Sequence, residues 1–303
     1  MSQSKVKTIY VIDFNTIEDH VKWLIANRVN RHDNRLYPAK AILLDFSRSR
    51  FLKPYHIAPL ACLIHEYQAK GFAVRLSKIP NDIQDYLISF DFDQFCQSGK
   101  QTNSFIPADR KTFPLWHIEE PRKDFYTLEV QKYFENNHFT GQNLFVLGNS
   151  LAELMNNIFD HSQSKIPGYT FTQLNSRSSQ IITCVCDFGI GIPLSVNKFL
   201  KNTGKPVLSN EIALTKALEE KFSTLSRPHN RGFGWNTIFK SLKSLQGKII
   251  IVSNNALYLM QQDGKVIPFL ISSNFPGTLV VIYLNTINLP PKEEELTDEL
   301  TLL

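Results

Sequence analysis

The sequence predicts an α/β protein made of two unlike units. Three observations carry this. Strand, helix and strand patterns alternate between Thr8 and Leu76, the signature of a small α/β unit. From about Leu144 onward, amphipathic helices are followed by several apolar strands that end near Leu284. Between the two lies an irregular stretch, about Asp91 to Asp124, bearing Pro107, Pro114 and Pro121. With 303 residues, the chain is long enough for two ordinary domains, each with its own core. The expected division is 1–95 for the first unit, 96–135 for a linker or packing segment, 136–288 for the second unit and 289–303 for an acidic, unstructured tail.

In chain order, Thr8–Asp13 reads as a strand and Thr16–Asn27 as a helix. Lys40–Ser47 is a second strand, leading through Phe51 and Leu52 into Lys53-Pro54-Tyr55-His56. A helix carrying Leu60, Leu63 and Ile64 then runs to Gly71, and Phe72–Leu76 is a third strand. In the irregular stretch, Phe105, Phe113, Leu115 and Trp116 point to packing rather than free solvation.

From Leu144 to Ser162, the apolar residues Leu147, Leu151, Leu154, Met155 and Ile158 recur at helical spacing. Glu153, Asn157 and His161 lie four apart, forming one narrow polar stripe beside the apolar one. A carboxylate and a carboxamide so placed are hard oxygen donors suited to Mg²⁺ or to the water it organises; the same spacing suits an ordinary solvated helix face. Gln180–Cys186 alternates as a strand, with Ile182, Cys184 and Cys186 on one side and Ile181, Thr183 and Val185 on the other. Asp187 ends it, and Gly189 and Gly191 follow. Two glycines two apart permit backbone geometry that a Cβ forbids and let a ligand approach closely. A carboxylate beside such a turn can accept from an amine such as adenine N6, although Asp-x-Gly is also common turn chemistry.

The dinucleotide fingerprint is excluded, since Leu194 stands where its third glycine belongs, and no P-loop pattern occurs. Phosphate chemistry has another route. The segment Arg231-Gly232-Phe233-Gly234 leads into a helix bearing Ile238, Leu242 and Leu245, and a helix N-terminus offers free N–H groups and a favourable dipole. Upstream, Ser223–Arg231 is polar and holds Arg227 and Arg231. It reads as a lid over a triphosphate or equally as an ordinary surface loop. Lys248–Ser253 and Ala256–Met260 are expected as two strands, Asp263-Gly264 as a hairpin turn, and Gly277-Thr278 as the opening of a last strand, Leu279–Leu284.

Taken in order and spacing, Glu153–His161, Asp187–Pro193, Arg231–Trp235 and Gly277-Thr278 resemble the ATP-binding domain shared by gyrase B, Hsp90, histidine kinases and MutL, known as the GHKL superfamily or Bergerat fold. The resemblance covers about residues 140–286. It implies an α/β sandwich with a mixed sheet and helices on one face, taking Mg-ATP. It makes Glu153 the general base, Asn157 the Mg²⁺ ligand and Asp187 the adenine acceptor, with Gly189 and Gly191 in the turn beside it. Gly232 and Gly234 become lid glycines on the phosphates, joined there by Arg227 or Arg231. Thr278 lies near the adenine, and His161 falls where several members have histidine. Trp235 and Ile158 depart from the usual leucine and small residue. No segment after Leu284 matches the domain that carries the catalytic lysine of gyrase B and MutL. The expectation is therefore ATP binding with slow hydrolysis.

The stretch Leu43–Leu76 is similar to STAS domains, the fold of anti-sigma-factor antagonists. It shares with them a strand ending in Asp45-Phe46-Ser47, an apolar Phe51-Leu52, a loop and a helix ending at glycine. Where that family often carries a phosphorylated serine, this chain has Lys53-Pro54-Tyr55-His56, which implies a docking or dimerisation module. Together the resemblances imply an ATP-operated switch with a protein partner or a second copy. The alternatives are a serine/threonine kinase of the anti-sigma-factor type acting on a STAS partner, or a non-catalytic interaction module.

Composition narrows the rest. No apolar run approaches the roughly 18–20 residues of a membrane span, and the polar start does not read as a signal peptide. Cys62, Cys96, Cys184 and Cys186 lack metal spacing and read as buried thiols of a cytoplasmic protein. A net charge of +5, without a basic stripe, does not indicate nucleic acid.

Overall fold

The computed structural model describes residues 6–29, 39–98, 111–118, 123–219 and 234–292, with the side chains of 98, 123 and 158–161 outside that set. The first unit is a three-stranded parallel sheet of β1 (Val6–Ile12), β2 (Ala41–Arg48) and β3 (Ala73–Ser77), in that order. Helix α1 (Ile17–Asn27) follows β1, and Thr16 caps it by accepting from Asp19 N at 3.1 Å. Helix α2 (Pro54–Ala69) follows β2, with Pro54 in its first turn, where no N–H is needed. Helices α3 (Asn81–Ile88) and α4 (Phe92–Ser98) come after β3.

The second unit contains β4 (Thr112–His117), α5 (Lys123–His138), α6 (Phe145–His161), β5 (Tyr169–Asn175) and β6 (Gln180–Asp187). It continues with α7 (Ile192–Asn202), α8 (Asn210–Leu218), α9 (Gly234–Ser244), β7 (Lys248–Met260) and β8 (Val266–Asn285). Its five strands run in the order β4-β5-β6-β8-β7. Every neighbouring pair is antiparallel, so the expected mixed sheet is corrected. The reason is topological. Helices α7–α9 carry the chain from β6 to the far edge, and β8 then folds back between β6 and β7, antiparallel to both. β6 and β7 point the same way but never touch.

Two further expectations change. Lys248–Met260 is one strand rather than two, with irregular pairing around Asn254, whose φ is +52°. Likewise β8 runs straight through Gly277 at φ +128° rather than starting there. Turn-type residues serve here as bulges, which bend a strand without ending it. The segment 96–135, expected as a linker or packing segment, supplies β4, which pairs with β5 at the sheet edge, and most of α5. The tail is tied down as far as Lys292: Leu289 is buried, Asn143 N donates to Pro290 O at 2.8 Å, and Lys292 pairs with the buried Glu135 at 2.6 Å. That carboxylate, nearly out of solvent, needs a cation.

The two faces of the five-stranded sheet have different covers. Ile181 and Val185 of β6 join one cluster with Leu151, Met155, Ile238 and Leu242 from α6 and α9. Ile182, Cys184 and Cys186 belong to the other, with Cys62, Leu63 and Ile64 of α2. The sides match those expected from the alternation in Gln180–Cys186. The second unit's own helices pack on one face, and α2 of the first unit covers the other. Wedged between two sheets, α2 buries twelve of its sixteen residues, and its sequence is accordingly apolar around most of its circumference. Polar ties cross the same seam: Cys62 Sγ donates to Cys186 O at 3.4 Å, His65 Nδ1 meets Tyr169 Oη at 2.7 Å, and Tyr86 Oη donates to Gln173 Oε1 at 3.1 Å. All four cysteines are buried free thiols. Among the described residues, no helix is long and apolar enough to cross a membrane.

Candidate functional site

Asp187 is the last residue of β6 and is 1 % exposed. Its Oδ1 accepts from Gly189 N at 2.7 Å, and Thr278, its register partner on β8, presents a backbone N–H and a hydroxyl to the same corner. Burial pushes its pKa up to about 7, although these donors and the nearby Arg28 guanidinium pull the other way. Gly277 lets β8 pass this close, because a Cβ there would collide with Asp187 O.

The turn after Asp187 is stitched to its surroundings on two sides. Ile190 N donates to Ser162 O at 2.7 Å, and a Cβ on Gly189 would strike the same carbonyl. Ser162 directly follows α6, so the helix that carries Glu153 and Asn157 ends against the Asp187 turn. On the other side, Gly191 at φ +84° starts α7 over the β7 bulge. Ser253 Oγ accepts from Ile192 N and donates to Gly277 O, both at 2.8 Å, while Asn254 Nδ2 donates to Ile190 O at 3.1 Å.

Glu153 and Asn157 are half-buried, one helical turn apart on α6. The Glu153 carboxylate lies against the start of α9, where a Cβ on Gly234 would collide with its Oε2. A negative charge at a helix N-terminus is favourable. The anion-accepting end foreseen for α9 is thus faced by the chain's own carboxylate. Asp187, Gly189, Gly191 and Thr278 form one continuous cluster, and Glu153 and Gly234 form a second contact on the helical side of the sheet. Arg227, Arg231 and Gly232 lie outside the described residues, as does the side chain of His161.

Sequence reasoning missed three contributors. Ser253 and Asn254 brace the turn, and the Asn254-Asn255 pair after an apolar run was their one signal, since asparagine tolerates left-handed backbone. The third is Arg28, just beyond α1. Its guanidinium pairs with Glu66 of α2 at 2.7 Å, donates to Pro276 O at 3.0 Å and stacks 3.9 Å from the centre of the Phe188 ring. One side chain from the first unit thus holds the end of β6, at Asp187-Phe188, to the bulge inside β8 at Pro276-Gly277. Nothing local in the sequence marks it.

The segment Lys53–His56 is not an exposed acceptor loop. Tyr55 is 2 % exposed and its hydroxyl donates to Phe14 O at 3.1 Å. Lys53 N donates to His56 Nδ1 at 2.9 Å, which leaves the ring proton on Nε2 to be donated to Phe14 O at 3.0 Å. Among the described residues, no group of three or more His, Cys, Asp or Glu side chains could hold a metal ion. No protein-family model matches the chain, and no curated protein matches it significantly.

Proposed function

We propose that the second unit binds Mg-ATP in the manner of the gyrase B, Hsp90, histidine kinase and MutL domains, and that the chain works as an ATP-operated switch. The observation that carries this reading is the environment of Asp187. A carboxylate offers about four acceptor positions. Gly189 N fills one of them, leaving acceptor capacity for an exocyclic amine. A buried carboxylate at a strand end, held by neutral donors and flanked by close-approach glycines, is suited to recognising the edge of a base.

Asn157 is the residue that would hold Mg²⁺. A single carboxamide fits that ion, which keeps several waters and takes the rest of its shell from ligand phosphates. When bound, Mg²⁺ would neutralise phosphate charge. Glu153, one turn away, can hold the attacking water as a base. Its position against the start of α9 means that phosphates approaching this helix meet a carboxylate, which favours slow turnover over fast. The switch reading draws further support from Arg28, which ties the first unit to both strands of the Asp187 corner.

Calorimetric titration of Mg-ATP into wild type and Asp187→Ala, with phosphate release followed in the same samples, tests the proposal. Wild type is expected to bind one nucleotide, and Asp187→Ala to lose at least tenfold in affinity, as an unpaired buried base edge costs about 1–3 kcal/mol. Glu153→Gln should bind normally and release phosphate about 10²–10⁴-fold more slowly. Absence of binding to wild type, or unchanged binding by Asp187→Ala, overturns the reading.

A further inference from the structure

The cover that α2 provides over the sheet stops at its N-terminus. Beyond it, between the N-terminal ends of α1 and α2 and the β7–β8 hairpin, lies a groove of about 930 Å³. Small-molecule sites span roughly 300–1,000 Å³, so this one can take a ligand of ordinary size. Leu257, Leu259 and Phe269 supply apolar surface, and the rings of Tyr55 and Tyr283 line the same space. The two phenols are near enough for charge on Tyr55 to oppose ionisation of Tyr283.

The charges of the groove are unbalanced in a specific way. Its two carboxylates are engaged: Glu18 pairs with Lys22 at 3.1 Å and accepts from Ser272, and Asp263 accepts from Lys265 N within its own turn. Its two ammonium groups are not. Lys53 lies 5.5 Å from the centre of the Tyr55 ring and Lys248 lies 5.3 Å from that of Tyr283, and neither makes an ion pair among the described residues. Lys53 also stands at the positive end of the sixteen-residue α2. Burial holds the Lys248 pKa below its ordinary value, the mark of an ammonium without a compensating anion. Two cations, each beside an aromatic ring and above an apolar floor, match a ligand with an anionic head and a flat apolar body.

We propose that this groove is a binding site for a small aromatic anion, an aryl phosphate or aryl carboxylate, whose charged group is drawn by Lys53 and Lys248 and whose ring packs on Tyr283, Leu259 and Phe269. The site is distinct from the Asp187 corner. Gln180, which lines the groove, and Asp187 are the two ends of β6, about 23 Å apart at roughly 3.3 Å per residue.

The test is calorimetric titration of the full chain with 1-naphthyl phosphate and with 1-naphthoate, using 1-naphthol and inorganic phosphate as controls. One aryl anion is expected to bind per chain, at least tenfold more tightly than either control. Lys53→Met and Lys248→Met should each weaken it by about tenfold or more, the usual effect of losing a charge-assisted contact. Lys53→Arg and Lys248→Arg should retain binding, and Asp187→Asn should leave it unchanged. The phosphate and carboxylate arms decide which head group is preferred. Absence of binding by both aryl anions, equal binding of 1-naphthol, or indifference to both lysine-to-methionine changes overturns the proposal. Loss of binding in Asp187→Asn would place the ligand at the other site and equally overturn it.

Discussion

Asp187 is a carboxyl group whose folded surroundings favour its proton. Its pKa is pushed from an ordinary 3.8 to about 7, chiefly by burial. As pH falls from about 8, the folded chain therefore takes up this proton while the unfolded chain does not, and stability rises until the unfolded carboxyl also protonates near pH 4. Acting alone, the group contributes up to roughly 4 kcal/mol across that window. Two histidines oppose it. Burial holds His20 well below its ordinary value and His56 at about 4, so both are neutral in the folded chain. Below about pH 6.5 the unfolded chain protonates them first and stability falls. The difference between wild type and Asp187→Asn isolates the aspartate. In urea unfolding, the variant should gain on wild type at pH 8 and lose that advantage by pH 5. A difference independent of pH would show that Asp187 is ionised throughout. The residues of this corner were legible because they are chemically distinctive: an aspartate at the end of an apolar strand, then two glycines. Arg28 was not, because its partners are separated from it by 38 and 248 residues.

At the level of elements, the clearest link is the one that Arg28 makes between α1, α2 and the bulge inside β8. Both members of the Arg28–Glu66 pair are largely buried, with side-chain exposures of 18 % and 13 %. Glu66 also accepts from Val29 N at 3.0 Å, so it fixes the chain leaving α1 as well. Arg28→Ala leaves that carboxylate uncompensated and frees Pro276 O. The expected loss is about 2–3 kcal/mol, short of the roughly 3–5 kcal/mol of a fully buried pair because some solvent reaches this one. Glu66→Gln should be milder, and the double variant should cost less than the two singles combined, since each removes the same interaction. Amide exchange at Phe188 and at 277–279 should quicken in Arg28→Ala more than exchange in β1 or β2. Uniform acceleration would show a general loss of stability without a local link. Element types were readable from periodicity, but continuity was not. Asn254, Gly264 and Gly277 all carry turn chemistry, yet only Gly264 belongs to a turn, while the other two are bulges inside β7 and β8. Whether a left-handed residue reverses a strand or bends it depends on the neighbour it pairs with, which local pattern does not contain.

For the whole molecule, the sequence divides more cleanly than the structure does. Composition separates two units at a proline-bearing stretch, but the apolar cluster runs unbroken from Ile9 and Val21 through α2 to Cys184, Leu279 and Val281. One hint was present. Gln180–Cys186 is apolar on both sides, as befits a strand covered on two faces, and helices on one face would have needed only half of that pattern. Since α2 buries residues against both sheets at once, neither unit retains a complete core when the other unfolds. Differential scanning calorimetry of the full chain should therefore show one transition, with calorimetric and van't Hoff enthalpies equal. Placing a charge at the centre of the seam, Cys62→Asp, should lower that transition as a whole by burying an unpaired carboxylate among Cys184, Cys186 and the sheet. If the units were independent, the same change would split the trace, leaving the half containing β4–β8 at its original temperature. That result would return the molecule to two domains joined by a linker. A single shifted peak would instead mean that any ligand binding at the Asp187 corner stabilises the first unit as much as the second, because the two share one folding equilibrium.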